Sequence, residues 1–174
     1  MLSKPLYEVR IINDFRDLLE QSAEAFAEKA AFWIRTEGGA FESITYKHFK
    51  NDVDALGAAL VSLGLRDSFI AVLGENRYEW CASYLAVTNH VGVVVPLDKE
   101  LPVSEKGNLL KRSSADALIF SGRYAKDMLA LKNEGSPVRY FINMDIKTEY
   151  LRIYLTFPHS SCYKLGILGA KVED

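Results

Sequence analysis

Few residues of this 174-residue chain have the types and spacing that chemistry requires. Ser121-Gly122-Arg123 would set a hydroxyl, backbone N–H groups and a guanidinium around an anion where a strand turns into a helix. The ordinary reading of the triplet is a βα turn with a solvated arginine, because such turns recur throughout α/β folds. Asn76-Arg77-Tyr78-Glu79 has the form of a capping box, with Asn76 at the N-cap and Glu79 at N3. Its charges read as solvated groups of a first helical turn, where the dipole favours Glu79. Trp80 and Tyr84 lie one helical turn apart and present stackable rings, but facing a sheet they read as core. His48, His90 and His159 have no acidic or thiol neighbour at a ligand interval. His48 reads as a surface residue near a helix start, and His90 as a helix C-terminal residue, favoured there when positively charged. Cys81 and Cys162 are far apart and read as reduced, structural thiols.

Recognised site motifs do not fill the gap. The chain contains no Gly-x-x-x-x-Gly-Lys-Ser/Thr loop, no Gly-x-Gly-x-x-Gly after a strand and no Gly-x-Ser-x-Gly elbow. Gly166 and Gly169 have no strand before them in this reading. Catalytic, cofactor-binding and metal-ligating residues are therefore assigned as none. The composition, 49% hydrophobic and 25% charged, is that of a globular domain. A formal charge of −2 without a basic stripe argues against nucleic acid as a partner. Met1 to Arg10 has no apolar signal-peptide core, and Val91–Leu97, interrupted by Gly92, is far too short for a membrane span. A cytoplasmic location is expected.

The elements that would position a site follow from periodicity. Phe15, Leu18, Leu19, Ala23 and Phe26 define an amphipathic helix over about 14–27, with Asn13 as N-cap. Ala31–Arg35 and Phe41–Thr45 read as a hairpin turning at Glu37-Gly38-Gly39. Thr45 caps a second helix with Phe49, Val53, Leu56 and Leu60 on its apolar face and Asp52 on its polar one; Gly64 ends it. Phe69–Leu73, Val91–Leu97, Ala117–Phe120 and Arg139–Met144 are apolar runs separated by helical stretches through Trp80, Leu109 and Arg123–Leu131. That alternation predicts an α/β fold in which helices flank a parallel sheet. Residues 1–145 form the domain portion in this reading. Residues 146–174 form an atypical tail with no clear period.

Five segments in order carry a resemblance. They are Ile44-Thr45-Tyr46-Lys47, then Leu56 to Leu65, then Phe69 to Trp80 with its Asn-Arg-x-Glu-Trp, then Leu85 to Leu97 ending Val-Pro-Leu, and Ser113 to Phe120. Together they resemble the N-terminal subdomain of adenylate-forming (AMP-binding) enzymes, most like a long-chain fatty acyl-CoA ligase. The resemblance spans about residues 13–145. It implies, for a full-length enzyme, a fatty acid or other carboxylate, ATP, Mg and CoA as reactants, and acyl-CoA, AMP and pyrophosphate as products. The family's Ser-Gly-Thr-Thr-Gly phosphate loop, its Tyr-Gly-x-Thr-Glu segment, its ribose-binding aspartate and its C-terminal lysine have no counterpart here. No cofactor is thus assigned to this chain, and the reading is an incomplete fold, truncated or changed in frame near Asp145 and inactive alone. A non-catalytic interaction module and a stand-alone nucleotide-binding domain are the alternatives. An unpaired sheet edge at Arg139–Met144 is expected, with self-association through it.

Overall fold

A computed structural model describes residues 9–36 and 38–145, together with the backbone of two strands at 152–154 and 164–167. Helix α1 spans Phe15–Ala25 and turns Leu19 and Ala23 inward. Its N-cap is Asp14 rather than Asn13: the Asp14 carboxylate accepts the Asp17 amide at 2.8 Å. Asn13, one place earlier, instead donates its backbone amide and its Nδ2 to Asp17 Oδ2, each at 2.9 Å.

Strands β1 (Ala30–Arg35) and β2 (Phe41–Thr45) form the expected hairpin, antiparallel with Trp33 opposite Ser43 and Arg35 opposite Phe41. Thr45 caps α2 (Tyr46–Ser62), its hydroxyl accepting the His48 amide. Phe49, Val53, Leu56 and Leu60 are buried as expected. Gly64 follows at φ 75, the left-handed value that lets the last turn close, with its amide on Val61 and that of Leu65 on Leu60.

Strand β3 (Phe69–Leu73) opens the parallel sheet. Helix α3 (Tyr78–Ala86) runs into a π-helical turn at Val87–Val91, so β4 occupies only Val93–Pro96, shorter than the apolar run suggested. Helix α4 (Val103–Arg112), β5 (Ala117–Phe120), a 3-10 turn at Gly122–Tyr124, α5 (Ala125–Asn133) and β6 (Tyr140–Asn143) complete the alternation. Strand order is β4-β3-β5-β6, all parallel.

The chain moves from β3 to one side and then crosses back to the other. A right-handed crossover must change sheet face when it changes direction. The two cores show that it does. Ile70, Ala117, Ile119 and Ile142 pack with α2 and α3, while Leu73, Leu118, Phe120 and Phe141 pack against residues of α4 and α5. Alternate strand residues feed opposite cores, which is why these strands read as continuous apolar runs.

Glycine 92 lets β4 join the sheet. Its φ of 171 is ordinary extended backbone, but a Cβ there would stand 2.4 Å from the Ser68 carbonyl oxygen. Space, rather than torsion, demands glycine.

The tail carries two short strands, and one expectation about the end of the chain is corrected. Strands β7 (Arg152–Tyr154) and β8 (Lys164–Ile167) give the tail secondary structure. β6 is not a free edge, because β8 pairs with it antiparallel through Ile142 and Asn143, and β7 pairs with β8. Backbone groups that would otherwise be open are satisfied there by antiparallel addition, which needs no crossover. His159, Cys162 and Gly169 lie outside the described residues.

Candidate functional site

The carboxyl ends of β3, β5 and β6 meet where the connections diverge, the place in open α/β sheets where ligands gather. Gly74-Glu75 leaves β3, Ser121-Gly122 leaves β5 and Met144-Asp145 leaves β6. The Ser121-Gly122-Arg123 turn does receive an anion: it is the chain's own Asp145. The Gly122 amide donates to Asp145 Oδ2 at 2.6 Å, and the Asp145 amide donates to Asn143 Oδ1 at 2.8 Å. A Cβ at Gly122 would lie 2.7 Å from that carboxylate, so a side chain there would push the Asp145 carboxylate out of this position.

Arg77 closes the arrangement. Its Nη1 lies 2.8 Å from Asp145 Oδ1 and its Nε donates to Glu79 Oε2 at 2.6 Å; Nη1 also reaches Ser121 Oγ at 3.4 Å. These contacts, Glu79's hydrogen bond first, push the guanidinium pKa above its ordinary value. The capping-box reading is therefore corrected. Arg77 is the N-cap residue of α3, without a side-chain cap bond, and Glu79 serves the arginine instead of a backbone amide. Nor are the pair freely solvated, since Arg77 is half-buried across three loops. Arg123, read as solvated, is exposed, with Glu75 4.0 Å away. Glu75 Oε2 and Asn143 Nδ2 are buried without a partner among the described residues. The cluster ties strand ends together; it offers neither a nucleophile beside a base nor an open oxyanion site.

A second polar cluster was not legible as one. Asp52, expected on the solvated face of α2, is 2% exposed. The Tyr78 hydroxyl donates to its Oδ2, and His48 Nε2 lies 3.3 Å from Oδ1, outside hydrogen-bond geometry. Burial raises the Asp52 pKa, opposed by Tyr78's hydrogen bond and by His48. Burial also raises the Tyr78 pKa, reinforced by its bond to Asp52. The Tyr78 ring completes an aromatic triangle with Phe32 at 5.2 Å and Phe49 at 5.7 Å. The expectation that His48 has no acidic neighbour at a useful interval is corrected: Asp52 stands four residues on along the same helix, and Tyr78 could be added only by the fold.

The remaining candidates resolve as structure. His90 does sit in the last turn of the π-helical segment, and its Nε2 pairs with Asp54 Oδ1 at 2.9 Å. Trp80 and Tyr84 stack at 5.4 Å but are half-buried; Ala82, Ser83 and Ala86 form the buried face of α3, so the rings are rim rather than core. Cys81 is a free, half-buried thiol whose pKa burial pushes up, the opposite of a reactive thiolate. Among the described residues no group of three or more His, Cys, Asp or Glu could hold a metal ion, and no helix is long and apolar enough to cross a membrane.

A parallel α/β unit with a structural clamp at its strand ends defines a class of scaffold rather than a reaction. The family profile described as AMP-binding enzyme matches residues 19–150, and the chain belongs to that family. It is 34% identical over 123 residues to chalcone synthase cfoA of Aspergillus candidus, covering 70% of this chain and 4% of that protein. It is 28% identical over 108 residues to fatty acyl-CoA synthetase A of Dictyostelium discoideum, covering 62% of this chain and 16% of that protein. The coronafacic acid ligase of Pectobacterium brasiliense has the same fold, with a TM-score of 0.70 at 19% identity over 79% of this chain and 27% of that one. So does the N-terminal domain of FACL13 from Mycobacterium tuberculosis, with a TM-score of 0.67 at 20% identity over 76% of this chain and 33% of that one. The chain thus spans a small part of the relatives it matches. The described sheet is the α/β subdomain expected from the sequence, covering part of the whole fold.

Proposed function

We propose that residues 1–145 are the N-terminal scaffold portion of an ATP-dependent acyl-CoA ligase, and that this chain alone does not catalyse the reaction. In the whole enzyme a fatty acid would attack the α-phosphate of Mg·ATP, releasing pyrophosphate, and the CoA thiol would then displace AMP from the acyl-adenylate. The observation that carries the reading is the occupation of the strand-end crevice by Arg77, Glu79 and Asp145, in a chain matched to the AMP-binding family over residues 19–150. Where a phosphate would need free donors, the Gly122 amide and the guanidinium are already taken. The residues present do not fit ATP, Mg or CoA, and no step is assigned to them. A fatty acid as substrate is supported by the likeness to fatty acyl-CoA synthetase A. A cytoplasmic setting accords with reactants such as ATP and CoA.

ATP–pyrophosphate exchange tests this directly. The 174-residue chain with palmitate, Mg and ATP should exchange no faster than a protein-free blank. Carboxylate-dependent exchange by the chain alone would overturn the reading. Exchange that appears only when a second polypeptide carrying the phosphate loop is added would support it.

A further inference from the structure

The hairpin, rather than the crevice, carries the further inference. β1 and β2 form a sheet of only two strands, an arrangement that is marginal unless something adds to it or covers it. β2 closes one edge of β1. Along the other, no hydrogen bond among the described residues reaches the backbone of Phe32 to Arg35. Successive strand amides point to opposite edges, so half of these groups are open. Exposed edges are usually blunted by proline, lysine or a central bulge. β1 reads Ala-Ala-Phe-Trp-Ile-Arg: its register shifts between Ala30 and Phe32, and from Phe32 to Arg35 it has neither a bulge nor proline nor lysine.

Beside that edge lies a groove of about 630 Å³ between Phe32–Arg35 and the segment Asn76–Cys81. This size is within the span of sites that hold ligands. Trp33 stands 67% exposed along it, and Phe41, 66% exposed, shares the outer face of the hairpin by register. Three charged residues line the groove: Arg77 and Glu79, which bind each other, and Arg35, which is exposed and makes no ion pair among the described residues. The unspent charge is positive.

We propose that the open edge of β1 binds an extended peptide segment of a partner polypeptide, added as a third strand, with apolar side chains over Trp33 and an acidic residue at Arg35. Main-chain hydrogen bonds supply affinity in such strand addition, and alternate side chains supply selectivity. This inference is independent of the acyl-activating reading.

The test uses the 174-residue chain and two fluorescein-labelled eight-residue peptides of alternating valine and threonine. One carries glutamate near its end and the other lysine at the same place. The glutamate peptide should slow exchange of the outward amides within Ala30–Arg35 by about tenfold or more, leaving those bonded to β2 unchanged. It should bind about fivefold tighter than the lysine peptide, the scale of one exposed charge pair, and Arg35→Glu should reverse the order. Trp33→Ala, at an exposed position, should leave the fold intact and weaken both peptides. Unchanged exchange in β1 at saturating peptide would overturn the proposal. So would equal affinities, or protection that rises with chain concentration without peptide, since that would make a second copy the occupant.

Discussion

The parallel sheet and the hairpin are built from strands of similar length, yet they hold their places in opposite ways. Every residue of β5 is buried, and β3 is buried from Ile70 to Leu73. Of the hairpin's described residues only Ile44 is buried, with Phe32 and Ile34 packed partly against the core. A sheet covered on both faces draws stability from each of its strand residues. A hairpin covered on one face depends on the few side chains that reach across, and it leaves an edge and an outer face for something else.

Substitutions that pit one region against the other should separate widely. Phe120→Ala, in the middle of the second core, should cost about 3–5 kcal/mol in urea unfolding. A loss below about 1 kcal/mol would mean that this core collapses around the gap, and that the contrast with the hairpin is weaker than the burial implies. Gly92→Ala should cost about 1–3 kcal/mol, because the new methyl meets the Ser68 backbone and not a side chain that could turn away. A loss below about 0.5 kcal/mol would mean that the Ser68 backbone gives way to the methyl.

The polar ties between regions come next in size. Asp145→Asn should cost about 1 kcal/mol, after discounting its charged bonds to Arg77 and the Gly122 amide for partial exposure. Increased proteolysis near residues 122–124 would accompany it, and an unchanged cleavage pattern would argue that the clamp is redundant. Asp52 makes a pH prediction. Its carboxyl is held above the ordinary value of 3.8 by burial, so the folded chain binds this proton more tightly than the unfolded one. Its stabilising contribution is complete below that ordinary value and is lost as pH rises through the folded value. Asp52→Asn removes the loss, so the urea midpoint of the variant relative to the parent should rise as pH climbs above the ordinary value of 3.8. A constant difference would mean that the carboxyl titrates normally. Smallest of all, Trp33→Ala should change stability by no more than about 0.5 kcal/mol in the isolated chain.

The two regions also differed in how they could be read. β3 and β5 were found to the residue, because a strand buried on both faces must be apolar throughout and its ends are marked by Gly74 and Ser121-Gly122. The hairpin was equally clear from its turn residues, but nothing in Ala30–Arg35 announced that its second edge stays open. The crevice was read in the wrong sense. Arg77 and Glu79 looked like surface charges because their third partner, Asp145, is far along the chain. Asp52 was placed on a solvated face because α2 alone has such a face. It is buried because α3 lays Tyr78 across it.

The sequence by itself determined the alternation of strands and helices, the two-faced apolar sheet, the Thr45 and Gly64 helix ends and the likeness to the AMP-binding family. Those features depend on residues near one another, whose spacing records turn geometry and burial directly. Only the tertiary structure decided which charges are spent. It turned Asp145 back onto Gly122, set Arg77 between two carboxylates, closed β6 with β8 and left Arg35 beside an open edge. The physical reason is that a charge acquires its partner through the path of the backbone in space, and periodicity along the chain carries no trace of that meeting.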